Sequence, residues 1–90
     1  MKEVVISKIK EYYETEYQGT KRVIEASLSG DKGYSWISSD TDRRRAVSQA
    51  IDRLLGVGFF VQYLNIPYNT IDNLYEEYKG KLESIKVSAS

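Results

Sequence analysis

The chain has 90 residues, with 13 basic and 13 acidic side chains, no histidine and no cysteine, so its formal net charge is zero. It therefore has no zinc site of the usual kind, no disulfide framework and no Cys–His or Ser–His–Asp catalytic group. The balanced charge also argues against a bulk cationic binder of nucleic acid or of membranes. We expect a non-enzymatic protein without a metal or cofactor.

Length and hydropathy predict one small globular domain that spans residues 1–90. A chain of this size buries only about 60% of the surface that it exposes when unfolded, so self-association would help it. The N-terminus lacks the apolar stretch of a signal peptide, and the longest apolar run, 54–61, is too short for a membrane span. These features predict a cytoplasmic homo-oligomer that has no contact with a membrane.

The first predicted element is a long helix. Apolar side chains recur every three or four residues from Ile6 to Tyr17. Gly19 either caps this helix in the left-handed conformation or lies in its interior. We favour a continuous helix over 2–29, because good helix formers follow the glycine. The alternative is an α+β fold with a short β-hairpin at 22–38.

Two more helices are predicted further along the chain. The polar residues 39–41 provide an N-cap for a second helix over 41–64. Pro67 interrupts the helical pattern, and a third helix follows over 70–86 with the clearest amphipathic spacing in the chain. Its apolar stripe consists of Ile71, Leu74, Tyr78, Leu82 and Ile85. The predicted fold is all-α, a long helical hairpin closed by a third helix.

Residues 60–79 resemble the helix-turn-helix DNA-binding motif in the spacing of their apolar side chains. The resemblance implies a transcriptional regulator, and we keep this function as an alternative. It departs from the motif at the turn, where Asn65 replaces the usual glycine. The presumed recognition helix, 69–83, has four acidic and two basic residues. Because acidic side chains beside phosphates weaken DNA binding, we expect that nucleic acid is not the partner.

Three consecutive arginines, Arg43, Arg44 and Arg45, begin the second predicted helix. Basic side chains at a helix N-terminus oppose the helix dipole, so this placement suggests a use for them. Arginine binds phosphate or carboxylate groups with two parallel hydrogen bonds. The alternative is a solvated helix start in which the arginines form weak ion pairs with Asp40 and Asp42.

Aromatic and hydroxyl side chains directly precede these arginines. Tyr34, Trp36 and Ser38 offer ring faces and a hydrogen-bonding group, which a nucleotide-like ligand or a protein hot spot requires. We therefore predict a ligand-binding site formed by these three residues with Arg43–Arg45, for an anionic small molecule or a partner protein. The alternative is that Trp36 only plugs the open end of the helical hairpin.

Tyrosines are the third feature, and they lie on the first and third predicted helices. They serve either in ordinary packing at the core boundary or in an oligomer interface. The residues concerned are Tyr12, Tyr13, Tyr17, Tyr75 and Tyr78.

Taken whole, this layout of a long helical hairpin and a third helix resembles the small all-helical proteins that phages and other mobile elements encode. Some of those proteins act as oligomeric sponges or plugs for host immune factors. The resemblance is one of size and layout, and it implies stoichiometric binding as an anti-defence protein in the cytoplasm of a host. A further hypothesis is a structural subunit of a larger assembly, which would bind no small molecule.

Overall fold

The computed structural model describes the backbone of residues 2–61 and 68–88, and the side chains of 3–57 and 71–88. These residues form three α-helices, α1 (Lys2–Leu28), α2 (Asp40–Val61) and α3 (Tyr68–Glu83). Each helix packs against the other two, in a bundle of 44 × 18 × 16 Å. The all-α prediction is confirmed.

The direction of the helices follows from contacts between their side chains. Arg53 of α2 pairs with Glu16 of α1, whereas Arg43, near the start of α2, contacts Ser27 near the end of α1. The first two helices are therefore antiparallel. Tyr78 of α3 contacts Glu14 of α1. Lys81, about one turn further along α3, lies over the ring of Tyr17, about one turn further along α1. Helix α3 therefore runs parallel to α1.

Gly19 lies inside α1, so the continuous helix is the correct interpretation of this region and no strand forms over 22–38. The observed helices differ from the predicted ones by at most three residues at the described ends, and α1 begins at residue 2 as predicted. The predicted end of the second helix at residue 64 lies outside the described residues. Helix α3 ends at Glu83 instead of 86, and the residues beyond it leave the helix while Ile85 and Val87 still pack against the core.

Helix α1 ends in a Schellman motif, the left-handed cap that glycine favours. Gly30 has φ of 80°, its N–H donates to the carbonyl of Ser27 at 3.2 Å, and the N–H of Asp31 donates to the carbonyl of Ala26 at 3.0 Å. These two bonds satisfy carbonyls that the helix would otherwise leave open. The chain then forms a short 3-10 turn, Lys32–Tyr34, whose N-cap is Asp31.

Helix α2 begins with a reciprocal cap at the predicted polar cluster. The N–H of Asp42 donates to Ser39 Oγ at 3.1 Å, and the N–H of Ser39 donates to Asp42 Oδ2 at 3.4 Å. Hydrogen bonds from Ser39 and from the backbone of Ser38 hold the pKa of Asp42 below its ordinary value. The cap confirms that short polar side chains start this helix.

The core contains two of the five tyrosines that the sequence singled out. Tyr13 and Tyr78 are buried with their ring centroids 5.8 Å apart in an edge-to-face arrangement, and the hydroxyl of Tyr13 donates to the carbonyl of Leu54 at 3.1 Å. Their rings therefore pack within one chain rather than on its surface. The main buried cluster is Ile9, Tyr13, Ile24, Val47, Ala50, Leu54, Ile71, Tyr78 and Leu82.

Between pH 10 and 12, the protein is expected to lose stability through Tyr78. Burial, together with the hydrogen bond that its hydroxyl donates to Glu14 Oε2 at 2.6 Å, raises the pKa of Tyr78 from 10.0 to about 12. Below pH 10 the phenol is neutral in both the folded and the unfolded chain. Above pH 10 it ionises in the unfolded chain but stays protonated in the folded one, which favours unfolding. The stability that the neutral phenol contributes is therefore lost as the pH rises through the folded pKa. Urea midpoints measured from pH 9 to 12 test this.

The matched variant for that measurement is Tyr78→Phe, which removes the titrating hydroxyl and keeps the ring. Its urea midpoint should fall less over the same pH range than that of the unchanged protein, because the other tyrosines and the lysines titrate in both. An equal fall in both proteins would show that Tyr78 contributes nothing to the alkaline loss.

Candidate functional site

The connection between α1 and α2 is tied to the bundle at Ile37, the residue that follows Trp36. The N–H of Ile37 donates to the carbonyl of Tyr34 at 3.0 Å, and the hydroxyl of Ser27 donates to the carbonyl of Ile37. The Ile37 side chain is 2% exposed, whereas that of Trp36 is 69% exposed. The connection therefore buries its isoleucine and presents its tryptophan to solvent.

Arg43, the first of the predicted arginines, points into the protein and is only 5% exposed. Its guanidinium donates to the carbonyl of Val87, to Ser27 Oγ at 3.0 Å and to a carboxylate oxygen of Asp40. Hydrogen bonds to Asp40, first from Arg43 and then from Ser88, lower the pKa of that carboxyl group. The Arg43 side chain thus joins α1, α2 and the segment after α3, and its position is a structural one.

The other two arginines lie on different sides of α2. Arg44 lines the groove between α2 and α3, near Ser48 and Glu83. Arg45 is exposed, and its guanidinium is 4.0 Å from a carboxylate oxygen of Asp42. Consecutive residues on a helix point about 100° apart, which separates these side chains from each other and from Arg43. The structure does not bring the three arginines together around one anion.

Of the six predicted residues, Tyr34 and Trp36 do come together. Their ring centroids are 6.4 Å apart with the planes tilted by 41°. Ser38 is exposed, and its backbone N–H, rather than its hydroxyl, is engaged, donating to Asp42 Oδ2 at 3.3 Å. The two aromatic rings of the predicted site are therefore together, whereas the side chains of the three arginines point in different directions.

Trp36 lies at one end of a groove between α1 and α2, on the side of the hairpin that α3 does not line. The groove encloses about 430 Å³, and its lining is mostly apolar. Small side chains make this possible, since Gly19 and Ala46 leave space where α1 and α2 face outwards. The lining residues are Thr15, Glu16, Gly19, Thr20, Val23, Trp36, Ala46, Gln49 and Arg53.

A pair of opposite charges crosses the groove away from Trp36. Arg53 Nε donates to Glu16 Oε2 at 2.9 Å. One helical turn before Glu16, the Tyr12 side chain is 39% exposed. Burial, followed by the charge of Glu16 and a hydrogen bond with it, raises the pKa of Tyr12. Tyr12 therefore lies beside the ion pair that crosses the groove, and Trp36 is the aromatic side chain that lines the groove itself.

Sequence reasoning missed this groove, although Gly19 was considered as a cap or as an interior glycine. A Cβ atom placed on Gly19 would have no heavy atom within 4 Å, so its own chain does not require a glycine there. A glycine inside a helix costs about 1 kcal/mol relative to alanine. Gly56 and Gly80 have the same open space inside their helices, so Gly19 marks an uncovered part of α1 and not, by itself, a contact with another chain.

The surface of α3 bears on the DNA-binding alternative. The turn of the predicted motif, at residue 65, lies outside the described residues. Among the described side chains of α3, Glu76, Glu77 and Glu83 are exposed and Asp72 is partly exposed. The ammonium group of Lys81 lies 4.0 Å from Glu77 and also over the ring of Tyr78. This helix therefore presents an acidic surface where a major-groove reader requires a basic one.

In the ranges that the structure describes, no three His, Cys, Asp or Glu side chains are grouped so that they could hold a metal ion. No helix in those ranges combines the length and the apolar character needed to cross a membrane. Comparison with known proteins gave no match, since no family model fits the chain and neither a curated protein nor a solved structure is significantly similar to it.

Proposed function

We propose that this protein is a non-enzymatic binding protein that docks a helix of another protein chain in the α1/α2 groove, with Trp36 as the anchor. The proposal keeps the aromatic residues of the site predicted from the sequence and omits Arg43, whose donors are engaged within the chain. It favours a protein partner over an anionic small molecule, because Arg43 is engaged within the chain and the side chains of Arg44 and Arg45 point in different directions.

The exposure of Trp36 is the observation that carries this proposal. A tryptophan buries about 150–250 Å² when it is fully covered, and each 100 Å² of apolar surface removed from water is worth about 2.5 kcal/mol. The loop backbone directly after Trp36 is fixed by the buried Ile37 and by the hydrogen bond from Ser27. Since the backbone beside the ring is already held in place, a partner that covers the ring loses less entropy than it would on a mobile loop.

The shape of the groove fits a helix. Two antiparallel helices with small residues between them form a channel, and α3 shows that the opposite side of this hairpin accepts a helix. From Thr15 to Val23 the channel is about 12 Å long, enough for about two helical turns. Apolar side chains spaced along one face of a helix would enter it, while the Glu16–Arg53 pair would contact the polar edge.

The test uses a photo-crosslinking amino acid at Gln49, an exposed residue of the groove. It is introduced in cells of the organism that encodes the protein, and the crosslinked chain is identified, purified and titrated calorimetrically. We expect Trp36→Ala to weaken binding at least 30-fold, which corresponds to about 2 kcal/mol. Gly19→Trp should abolish binding by filling the groove.

Gly80→Trp provides the matched control. Gly80, like Gly19, lies inside a helix with no heavy atom within 4 Å of an added Cβ, but it is exposed on α3. Gly80→Trp should leave the affinity for the purified partner unchanged. If Trp36→Ala and Gly19→Trp bind the purified partner as tightly as Gly80→Trp does, the proposed function is wrong. If crosslinking captures a chain whose binding does not depend on Trp36 and Gly19, that result also contradicts the proposed function.

A further inference from the structure

We infer that the protein has a second binding site, for a small organic phosphate, in a cavity between the second half of α1 and the end of α3. We call it the lysine cavity, because Lys21, Lys81 and Lys86 line it. It encloses about 390 Å³, within the range of about 300 to 1,000 Å³ that small-molecule sites have. The cavity is separate from the α1/α2 groove, so the inference does not depend on the proposed function.

The lysine cavity lies on the opposite side of α1 from the groove. Its α1 residues, Tyr17, Lys21, Glu25 and Leu28, follow each other at steps of four, four and three, so they share one face of the helix. The α1 residues that line the groove, at positions 15, 16, 19, 20 and 23, lie on the other face. A ligand in the cavity therefore leaves the groove open to a protein partner.

Three ammonium groups serve this cavity from different parts of the chain. Those of Lys21 on α1 and Lys81 on α3 lie 5.9 and 5.8 Å from the centre of the Tyr17 ring. Lys86 lines the cavity from the segment after α3, and Glu25 is the only acid among the described residues of the lining. Three bases against one acid give the lining a net charge of +2. An anion held between the ammonium groups would relieve their mutual repulsion.

Most of this positive charge is not neutralised within the chain. Among the described residues, neither Lys21 nor Lys86 forms an ion pair with a carboxylate. Lys81 is 4.0 Å from a carboxylate oxygen of Glu77, and surface pairs of this kind contribute little. These lysines therefore keep hydrogen-bond donors for a ligand, unlike Arg43, whose guanidinium is engaged within the bundle.

The chemistry of the lining favours a phosphate ester with an apolar part. A phosphate monoester has nearly two negative charges at pH 7 and three terminal oxygens, so it suits several separated ammonium groups better than a carboxylate does. Beside the lysines, Leu28 and Ile85 line the cavity and pack against the core, so they provide an apolar surface that the bundle supports. A molecule with a phosphate group and a ring, such as a mononucleotide, contacts both parts at once.

The first experiment titrates the purified protein calorimetrically with adenosine monophosphate, in a buffer that contains no phosphate. We expect saturable binding of one molecule per chain. Two related probes separate the parts of the ligand, because adenosine lacks the phosphate and ribose phosphate lacks the base. Each should bind at least tenfold more weakly than adenosine monophosphate.

Substitutions test the charges of the cavity. Lys21→Ala and Lys81→Ala should each weaken the binding of adenosine monophosphate at least fivefold, because each removes a charged donor. Glu25→Gln should strengthen it about threefold, because it removes the repelling carboxylate. Lys79→Ala is the matched control and should leave the affinity unchanged. Lys79 is also on α3 with its ammonium group 6.0 Å from the centre of a tyrosine ring, that of Tyr75, but it does not line the cavity.

Nuclear magnetic resonance of the labelled protein locates the ligand. Adenosine monophosphate should shift the amide signals of residues 21–28 and 84–86 and leave the indole signal of Trp36 in place. Shifts confined to the surroundings of Trp36 would place the phosphate in the groove and overturn the inference.

Three calorimetric results would also overturn it. The first is no binding of adenosine monophosphate at 10 mM, and the second is binding of adenosine or ribose phosphate that is equally tight. The third is an affinity that Lys21→Ala and Lys81→Ala change no more than Lys79→Ala does. None of these results affects the proposed function, which is tested with a protein partner and with Trp36→Ala and Gly19→Trp.

Discussion

Replacing Arg43 by alanine is expected to lower the free energy of unfolding by about 2 to 4 kcal/mol. The guanidinium is 5% exposed and donates to three separate parts of the chain, at Ser27, Asp40 and Val87. Its removal leaves the carbonyl of Val87 and the hydroxyl of Ser27 without this charged donor in a partly buried place. It also leaves an empty volume that the bundle fills only in part.

The same variant should release the segment that follows α3. Residues 84–88 are held by the bond from Arg43 to the carbonyl of Val87 and by the bond from the hydroxyl of Ser88 to Asp40, at 3.0 Å. Without Arg43, amide hydrogens in this segment should exchange faster than those in the middle of α2. Urea denaturation gives the change in free energy, and hydrogen exchange monitored by mass spectrometry locates it.

Arg44→Ala is the control for this prediction, because Arg44 is the next residue of the same helix and is exposed. Its effect on the free energy of unfolding should stay within about 0.5 kcal/mol. The loss in free energy of unfolding for Arg43→Lys should lie between the losses for Arg44→Ala and Arg43→Ala. Lysine keeps the charge but lacks the planar guanidinium that reaches three acceptors. If Arg43→Ala were as mild as Arg44→Ala, the buried guanidinium would not be holding the bundle together.

The inward direction of Arg43 could not be predicted from its sequence neighbours. The helices themselves follow from local spacing and from caps such as Ser39 and Gly30, and these signals lie within a few residues of what they determine. One hydrogen-bond acceptor of Arg43, Asp40, is local, but the other two lie 16 residues before it, in Ser27, and 44 residues after it, in Val87. Only the packed bundle brings them to one place, so the arginine cluster looked like a surface site.

The α1/α2 groove illustrates the same limit for the candidate site. The sequence singled out Trp36 and Gly19, and both residues line this groove. It gave no indication that they face one groove, because that depends on the antiparallel packing of α1 on α2, which brings Val23 beside Ala46. Periodicity predicts which face of a helix is apolar, but it does not predict which neighbouring helix leaves part of that surface open.

Replacing Ile37 by alanine is expected to lower the free energy of unfolding by about 2 to 4 kcal/mol, whereas Trp36→Ala should change it by less than about 0.5 kcal/mol. The sequence offered Trp36 as the plug at the open end of the hairpin. In the structure the neighbouring isoleucine is buried at 2% exposure and the tryptophan is 69% exposed. Truncating a buried side chain leaves a cavity, and truncating an exposed one leaves none.

This contrast separates the structural role of the loop from its role in binding. Urea midpoints followed by circular dichroism give both stabilities without relying on the tryptophan signal. If Ile37 supports the fold and Trp36 binds the partner, Trp36→Ala abolishes binding of the partner and leaves the fold intact. Under conditions where Ile37→Ala is still folded, its loop is no longer anchored to the bundle. Acrylamide should therefore quench the fluorescence of Trp36 more strongly in this variant than in the unchanged protein. A loss of stability in Trp36→Ala as large as that in Ile37→Ala would mean that the ring supports the hairpin, and its exposure could then no longer be used as evidence for a partner.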